Sequence, residues 1–187
     1  MSGIRCFLAV PVDPHVQEAV TALRLRVQSS VSALRWENPA KLHMTLKFLG
    51  SIDPGRIGPL IKEIGEIARY HSSFDIIYEG LGVFPSMDRP RVLWVGVRDS
   101  RSIVELQNDV NRAAVSAGFA EDDRPFHPHL TIARIKHFDT GHRLTAILKS
   151  LTFEPVSTRC TEVLVMKSEL HPDTSRYTVL QSIPLSS

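Results

Sequence analysis

Two imidazole–hydroxyl pairs carry the chemistry this chain can do. His43 and Thr45 sit in Leu42-His43-Met44-Thr45-Leu46-Lys47-Phe48-Leu49-Gly50, and His129 and Thr131 sit in Pro128-His129-Leu130-Thr131-Ile132-Ala133-Arg134. An imidazole titrates near neutrality, so two of them facing one space make a general base and a general acid. Two hydroxyls beside them can donate hydrogen bonds to the oxygens of a tetrahedral anion. The set suits phosphoryl transfer without a metal: one histidine activates the attacking oxygen, the other protonates the leaving oxygen, and the threonines hold the oxygens that stay. A single His-x-Thr carries almost no information; two copies in equivalent surroundings carry a great deal.

The elements that must position these residues follow from periodicity. Each motif lies in a short apolar run between turn signals, the pattern of a β-strand. Residues i and i+2 share a strand face, so His43 and Thr45 point one way, as do His129 and Thr131, with Met44, Leu46, Leu130 and Ile132 facing a buried layer. Ile4 to Val12 reads as a central strand. Asp13-Pro14 opens a helix to about Ser30 with an apolar stripe at Val16, Val20, Leu23 and Val27. Leu34 to Trp36 is a brief strand, Asp53-Pro54 opens a second helix, and Phe74 to Val83 is a strand followed by a loop from Phe84 to Pro90. The second half repeats this order: strand from Arg91, helix capped at Asp99-Ser100, His-strand, helix near Thr140 to Ser150, and strands at Leu151 to Pro155, Glu162 to Leu170 and Arg176 to Pro184.

This repetition predicts an internal duplication of an α+β unit. The expected fold is α+β, with two pseudo-symmetric lobes, each an antiparallel-rich sheet with outer helices, around a central cleft to which each lends one His-x-Thr. Residues 1–187 form one bilobal domain, with pseudo-repeats of about 4–85 and 91–170 and a closing strand at 176–184.

Composition narrows the classes. With 187 residues, 43% hydrophobic, 22% charged and a net charge of +2, the chain suits a soluble globular domain that tolerates an anionic ligand without demanding one. No run approaches the roughly 20 apolar residues of a membrane span. The first apolar segment ends at Pro11, Asp13 and Pro14 and reads as a strand, not a signal peptide. Cys6 and Cys160 make neither a disulfide framework nor a metal motif, and are expected as buried thiols of a cytoplasmic protein.

Among the neighbours, His127 shares the face of His129, but no carboxylate or cysteine completes a zinc set, so it is expected in a supporting role. Lys47 shares the His43 face by i+4 spacing and sits at the cleft rim or in solvent. Arg134 falls on the opposite face of a regular strand, and reaches the cleft only through a twist or bulge. Trp94 reads as core, whereas Phe84, in a loop before Arg89-Pro90-Arg91, is the better ring for stacking on a base. The remaining histidines, His15, His71, His137, His142 and His171, fall in helix starts or loops and are expected at the surface.

With both motifs in view, and with Arg5-Cys6-Phe7-Leu8-Ala9-Val10, Arg91 to Val97 and Tyr177-Thr178-Val179-Leu180 around them, the whole chain resembles the two-histidine (2H) phosphoesterase superfamily, most closely the RNA 2',3'-cyclic phosphodiesterases long called 2'-5' RNA ligases. The resemblance implies His43 as proton donor, His129 as proton acceptor, Thr45 and Thr131 on the phosphate, and Arg134 as the basic residue after the second motif. It implies a monomer that needs no cofactor or metal and acts on RNA ending in a 2',3'-cyclic phosphate, such as tRNA halves. Two readings stand beside it: a cyclic phosphodiesterase of small nucleotides, such as an ADP-ribose cyclic phosphate or a 2'-5' oligoadenylate, and a module that binds RNA ends without turning them over.

Overall fold

The computed structural model describes residues 3–27, 34–135, 142–170 and 175–187. The first strand, β1 (Ile4–Pro11), is buried on both faces, with Phe7 to Val10 almost fully inaccessible. The chain then turns at Asp13, whose carboxylate accepts the His15 N–H at 2.8 Å and whose carbonyl accepts from Val16. That cap, with Pro14 at the first helical position, starts α1 (Pro14–Val27). The stripe expected from the 3.6-residue period, Val16, Val20, Leu23 and Val27, is buried; residues 28–30 of the expected helix lie outside the described residues.

The later elements are β2 (Leu34–Trp36), β3 (His43–Ile52), α2 (Ile57–Ala68), β4 (Phe74–Phe84), β5 (Val92–Arg98), α3 (Arg101–Ser116), β6 (His129–Ile135), α4 (His142–Ser150), β7 (Val156–Cys160), β8 (Glu162–Leu170) and β9 (Ser175–Pro184). Three local expectations change. Asp53 caps a 3-10 turn, Pro54–Arg56, that leads into α2. Ser100 precedes α3 without a side-chain cap, and Asp99 takes a left-handed φ of 43°. Residues 151–155 form no strand: Pro155 has no N–H for a ladder, the carbonyl of Phe153 accepts from Gly80 outside any ladder, and pairing with β4 begins at Val156. The start of α4 expected at Thr140 lies outside the described residues.

All strand pairs are antiparallel. One sheet has the order β3-β1-β8-β9 and the other β2-β6-β5-β4-β7. The two histidine strands, β3 and β6, approach each other where the sheets meet. Each sheet therefore draws on both halves of the chain. β4, the last strand of the first half, pairs with β5 of the second, and β8 of the second half pairs with β1 of the first. The helices follow the same exchange: α3 leaves β5 but packs on α2 and β3, and α1 leaves β1 but packs near β7. One apolar core runs through both sheets, including Leu8, Val10, Met44, Leu93, Val95, Leu130 and Ile132. Each such side chain contributes roughly 1.5–3 kcal/mol when fully buried. A second, smaller cluster of Phe7, Ala9, Leu164 and Met166, with Tyr177 against it, lies on the other face of the first sheet. Among the described residues no helix is long and apolar enough to cross a membrane.

Candidate active site

A matched pair of β-bulges sets the site. In β3, Thr45 pairs with Ala9 and Lys47 with Leu8, leaving Leu46 as the extra residue. In β6, Thr131 pairs with Trp94 and Ala133 with Leu93, leaving Ile132 extra. In both motifs the extra residue directly follows the threonine. One inserted residue reverses the facing of everything beyond it. His43, Thr45 and Phe48 therefore share one face, and His129, Thr131 and Arg134 share the equivalent face of the other sheet. All six line one cleft of about 950 Å³.

The bulge brings Arg134 onto the cleft face, and there its Nε donates to Glu37 Oε1 at 3.2 Å. The same device corrects the expectation for Lys47. The i+4 spacing places it beside His43 only in a regular strand. The bulge turns it inward, where it is 2% exposed and its Nζ donates to Asn111 Oδ1 at 2.6 Å and Asp122 Oδ1 at 2.9 Å. Lys47 thus fastens the chain segment 119–128, which walls the cleft, to β3 and α3. Arg56 holds the start of that segment, donating to the Ala117 and Gly118 carbonyls, with its guanidinium 4.1 Å from the Phe119 ring centre.

Each histidine is held in the same way. Nδ1 of His43 lies 2.8 Å from the Lys41 carbonyl, and Nδ1 of His129 lies 2.6 Å from the His127 carbonyl. A carbonyl oxygen only accepts, so Nδ1 carries the proton and Nε2 is the nitrogen free to exchange one. His127 supports His129 through its backbone. Aromatic rings brace both imidazoles: Phe7 at 4.8 Å and Tyr177 at 5.0 Å from His43, Phe84 at 5.0 Å and Trp94 at 6.2 Å from His129, centre to centre. Phe84 ends β4 instead of lying in a loop, and its ring meets His129 at 88°, with Trp94 at 5.2 Å from Phe84 and beside the same imidazole.

Burial lowers the pKa of both histidines below the ordinary value. Neighbours then act on each. The Lys41 carbonyl and the Glu37 carboxylate push His43 back up. For His129 the His127 carbonyl pushes up, while the charge of the His127 side chain pushes down. His43 thus has a carboxylate beside it that favours its protonated form, and among the described residues His129 has none. The hydroxyls of Thr45 and Thr131, both half-buried, are engaged by no other described residue.

Four residues of the site escaped the sequence reading: Phe7, Phe48, Glu37 and Asp122. The signal that could have found Phe48 is the motif alignment itself, which sets Lys47-Phe48 against Ala133-Arg134. Of the remaining histidines, His15 is exposed. His71 is instead mostly buried, its Nε2 2.8 Å from Asp109 Oδ2, at the α2–α3 contact. His137, His171 and the side chain of His142 lie outside the described residues. Among the described residues no three His, Cys, Asp or Glu side chains are grouped to hold a metal ion. Cys6 and Cys160 are buried free thiols, the latter pushed by burial up to about 12.

Residues 6–172 match the 2'-5' RNA ligase superfamily. A Geobacillus stearothermophilus protein named RNA 2',3'-cyclic phosphodiesterase is 31% identical over 96% of this chain, which spans 56% of that protein's length. A Methanothermobacter thermautotrophicus protein of the same name is 31% identical over 95% of this chain and 97% of its own. The structure of E. coli LigT complexed with 3'-AMP superposes with a TM-score of 0.79, at 26% identity and over 99% of each chain.

Proposed function

The chain belongs to the 2'-5' RNA ligase superfamily, and on that premise we propose that it opens RNA 2',3'-cyclic phosphate ends by metal-independent catalysis with two histidines. The observation that carries this reading is the twice-built motif. Two imidazoles with free Nε2 atoms, each beside an unengaged threonine hydroxyl, line one cleft from opposite sheets.

In the reaction, water attacks phosphorus in line with the 3' oxygen. His129 Nε2 takes the proton of the attacking water as the new P–O bond forms. The P–O3' bond breaks, and His43 Nε2 gives its proton to the departing oxygen. The products are a 2'-phosphate and a free 3'-hydroxyl. Thr45 and Thr131 donate to the non-bridging oxygens, where charge gathers in the transition state. The assignment of His43 as the acid has support in the neighbouring charge, since the Glu37 carboxylate favours its protonated form. Arg134, aimed by its bulge, meets the phosphate or the adjoining base. Phe84 fixes the His129 ring, and Lys47 acts by holding the wall of the cleft. With an RNA 5'-hydroxyl in place of water, the same geometry joins two ends, such as tRNA halves, through a 2'-5' linkage. Both repeats, about 4–85 and 91–170, work as one unit in a monomer, because each supplies one histidine.

Product analysis tests the proposal. A short RNA ending in a 2',3'-cyclic phosphate and a set of small cyclic nucleotides are incubated with the protein in excess chelator. Conversion of the RNA end to a 2'-phosphate is the expected result. Turnover of small nucleotides with the RNA left intact would favour the small-nucleotide reading. Binding of the RNA end without turnover would favour the binding module.

A further inference from the structure

A carboxylate stands in a cleft that otherwise suits an anion. Glu37 lines the cleft together with His43 and Arg134. Its backbone places it there: the Glu37 N–H donates to the Ile132 carbonyl at 2.9 Å. That bond carries the β2–β6 ladder one step past Trp36, to the bulge residue next to Thr131. Asn38 follows and caps the turn at Pro39–Lys41 by accepting from the Ala40 N–H. The carbonyl of Lys41, at the end of that turn, is the one that holds His43. The segment 37–41 is therefore tied to both motifs. The Glu37 carboxylate, half-buried, accepts from Arg134 Nε at 3.2 Å and lies close enough to His43 to favour the protonated ring. Of the other carboxylates along the cleft, Asp122 is answered by Lys47, and Asp123 is exposed on the wall. A negative charge at Glu37 weakens the hold on any phosphate, and the effect grows with the charge of the ligand. A cyclic phosphodiester carries one negative charge. The phosphomonoester left by its hydrolysis carries nearly two above its second pKa of about 6.

We propose that Glu37 is a specificity-determining residue, which makes the cleft prefer a singly charged phosphodiester to a doubly charged phosphomonoester. Its carboxylate takes up part of the Arg134 charge and repels the second charge of the monoester. The product then leaves more readily, and RNA ends that carry a phosphomonoester compete poorly for the site. The link to a product rests on the cyclic phosphodiesterase reading; the discrimination by charge is a property of binding alone.

Two inert probes test it at pH 8, where the monoester is doubly charged. They are 3'-deoxyadenosine 2'-monophosphate and its methyl ester, which differ by one charge and have no 3'-hydroxyl to react. Each is titrated into the wild type, Glu37→Gln and Glu37→Asp at constant ionic strength. Glu37→Gln keeps an oxygen for Arg134 Nε and removes the charge. It should tighten the monoester about three- to tenfold more than the methyl ester, the effect of one partly screened charge at several ångströms. Glu37→Asp should keep the wild-type ratio of affinities. At pH 5, where the monoester carries one charge, Glu37→Gln should change both probes alike. Equal gains for the two probes at pH 8, or no gain for either, would overturn the inference. So would a wild type that binds neither probe. Turnover of an RNA ending in a 2',3'-cyclic phosphate is followed in parallel, and inhibition by its product should deepen in Glu37→Gln by the same factor. Equal gains with turnover intact remove the inference alone. A charge-dependent gain without turnover retains the discrimination and removes the phosphodiesterase reading.

Discussion

At the scale of single residues, a backbone carbonyl holds one nitrogen of each imidazole, and the proposed reaction uses the other. General acid or base catalysis is typically worth about 10²–10⁴-fold, so His43→Ala and His129→Ala should each lower kcat by that order. The double variant should lose far less than the product of the two, because the pair acts as a unit. Thr45→Ala or Thr131→Ala removes a hydrogen bond to a charged oxygen, about 1.5–3 kcal/mol, or one to two decades of rate. The pH profile has a definite sign. The acid form of His43 is lost as pH rises through its pKa, and the base form of His129 is lost as pH falls through its own. Burial lowers both, so the bell in kcat/KM should peak on the acid side of 6.5, the limbs reporting the pair jointly. The same shifts affect folding. Both groups bind protons more readily when unfolded, so their contribution to stability is present above about 6.5 and is lost as pH falls through the folded values; urea unfolding at pH 7 and pH 5 checks it. A substrate with an activated leaving oxygen fixes the roles, since it should rescue His43→Ala and not His129→Ala.

At the scale of elements, the bulges decide which side chains the reaction can use. They also mark the limit of what the sequence disclosed. Period-2 alternation correctly placed His43 with Thr45 and His129 with Thr131, because those pairs precede the inserted residue. It misplaced Lys47, which follows one, and reached Arg134 only by supposing a bulge. An extra residue leaves no mark in a hydrophobic pattern, since Leu46 and Ile132 look like ordinary strand residues. What the pattern could not show is the use made of Lys47, whose side chain is 1% exposed against 35% for its partner Asp122. Taking away the carboxylate strands a buried ammonium, whereas taking away the ammonium leaves a carboxylate that water reaches. Asp122→Ala should therefore cost more stability than Lys47→Met, about 3 kcal/mol, measured by denaturant unfolding. Gly82 tests the other bulged strand from behind. A Cβ there would come within 2.1 Å of the Trp94 ring, and Trp94 stands beside His129. Gly82→Ala should cost about 1–3 kcal/mol by overpacking, shift tryptophan fluorescence and lower kcat together.

At the scale of the whole molecule, most of the order of elements was legible, and the exchange of strands between the sheets was not. Local patterns report which segments are strands; the choice of neighbour is made by packing. Placing β4 against β5 and β8 against β1 gives each sheet members from both halves, and a single core joins them. A chain folded as two independent lobes would bring its histidines together only as well as the lobes dock. Here neither sheet can form without the other half of the chain, so the cleft is fixed by the same contacts that fix the fold. Residues 1–88 alone contain β1 and β3 but lack β8 and β9, and they contain β4 without β5. Residues 89–187 hold β5 and β6 without β4, and β8 without β1. Each fragment should therefore lack cooperative unfolding by itself, and an equimolar mixture should recover a folded complex with both histidines in place. The intact chain should unfold in one transition, with tryptophan fluorescence, circular dichroism and loss of activity coincident. Two separated transitions, or a fragment that folds alone, would show the lobes to be autonomous. The site would then depend on lobe docking, and substitutions at the β3–β6 approach would outweigh those in the core.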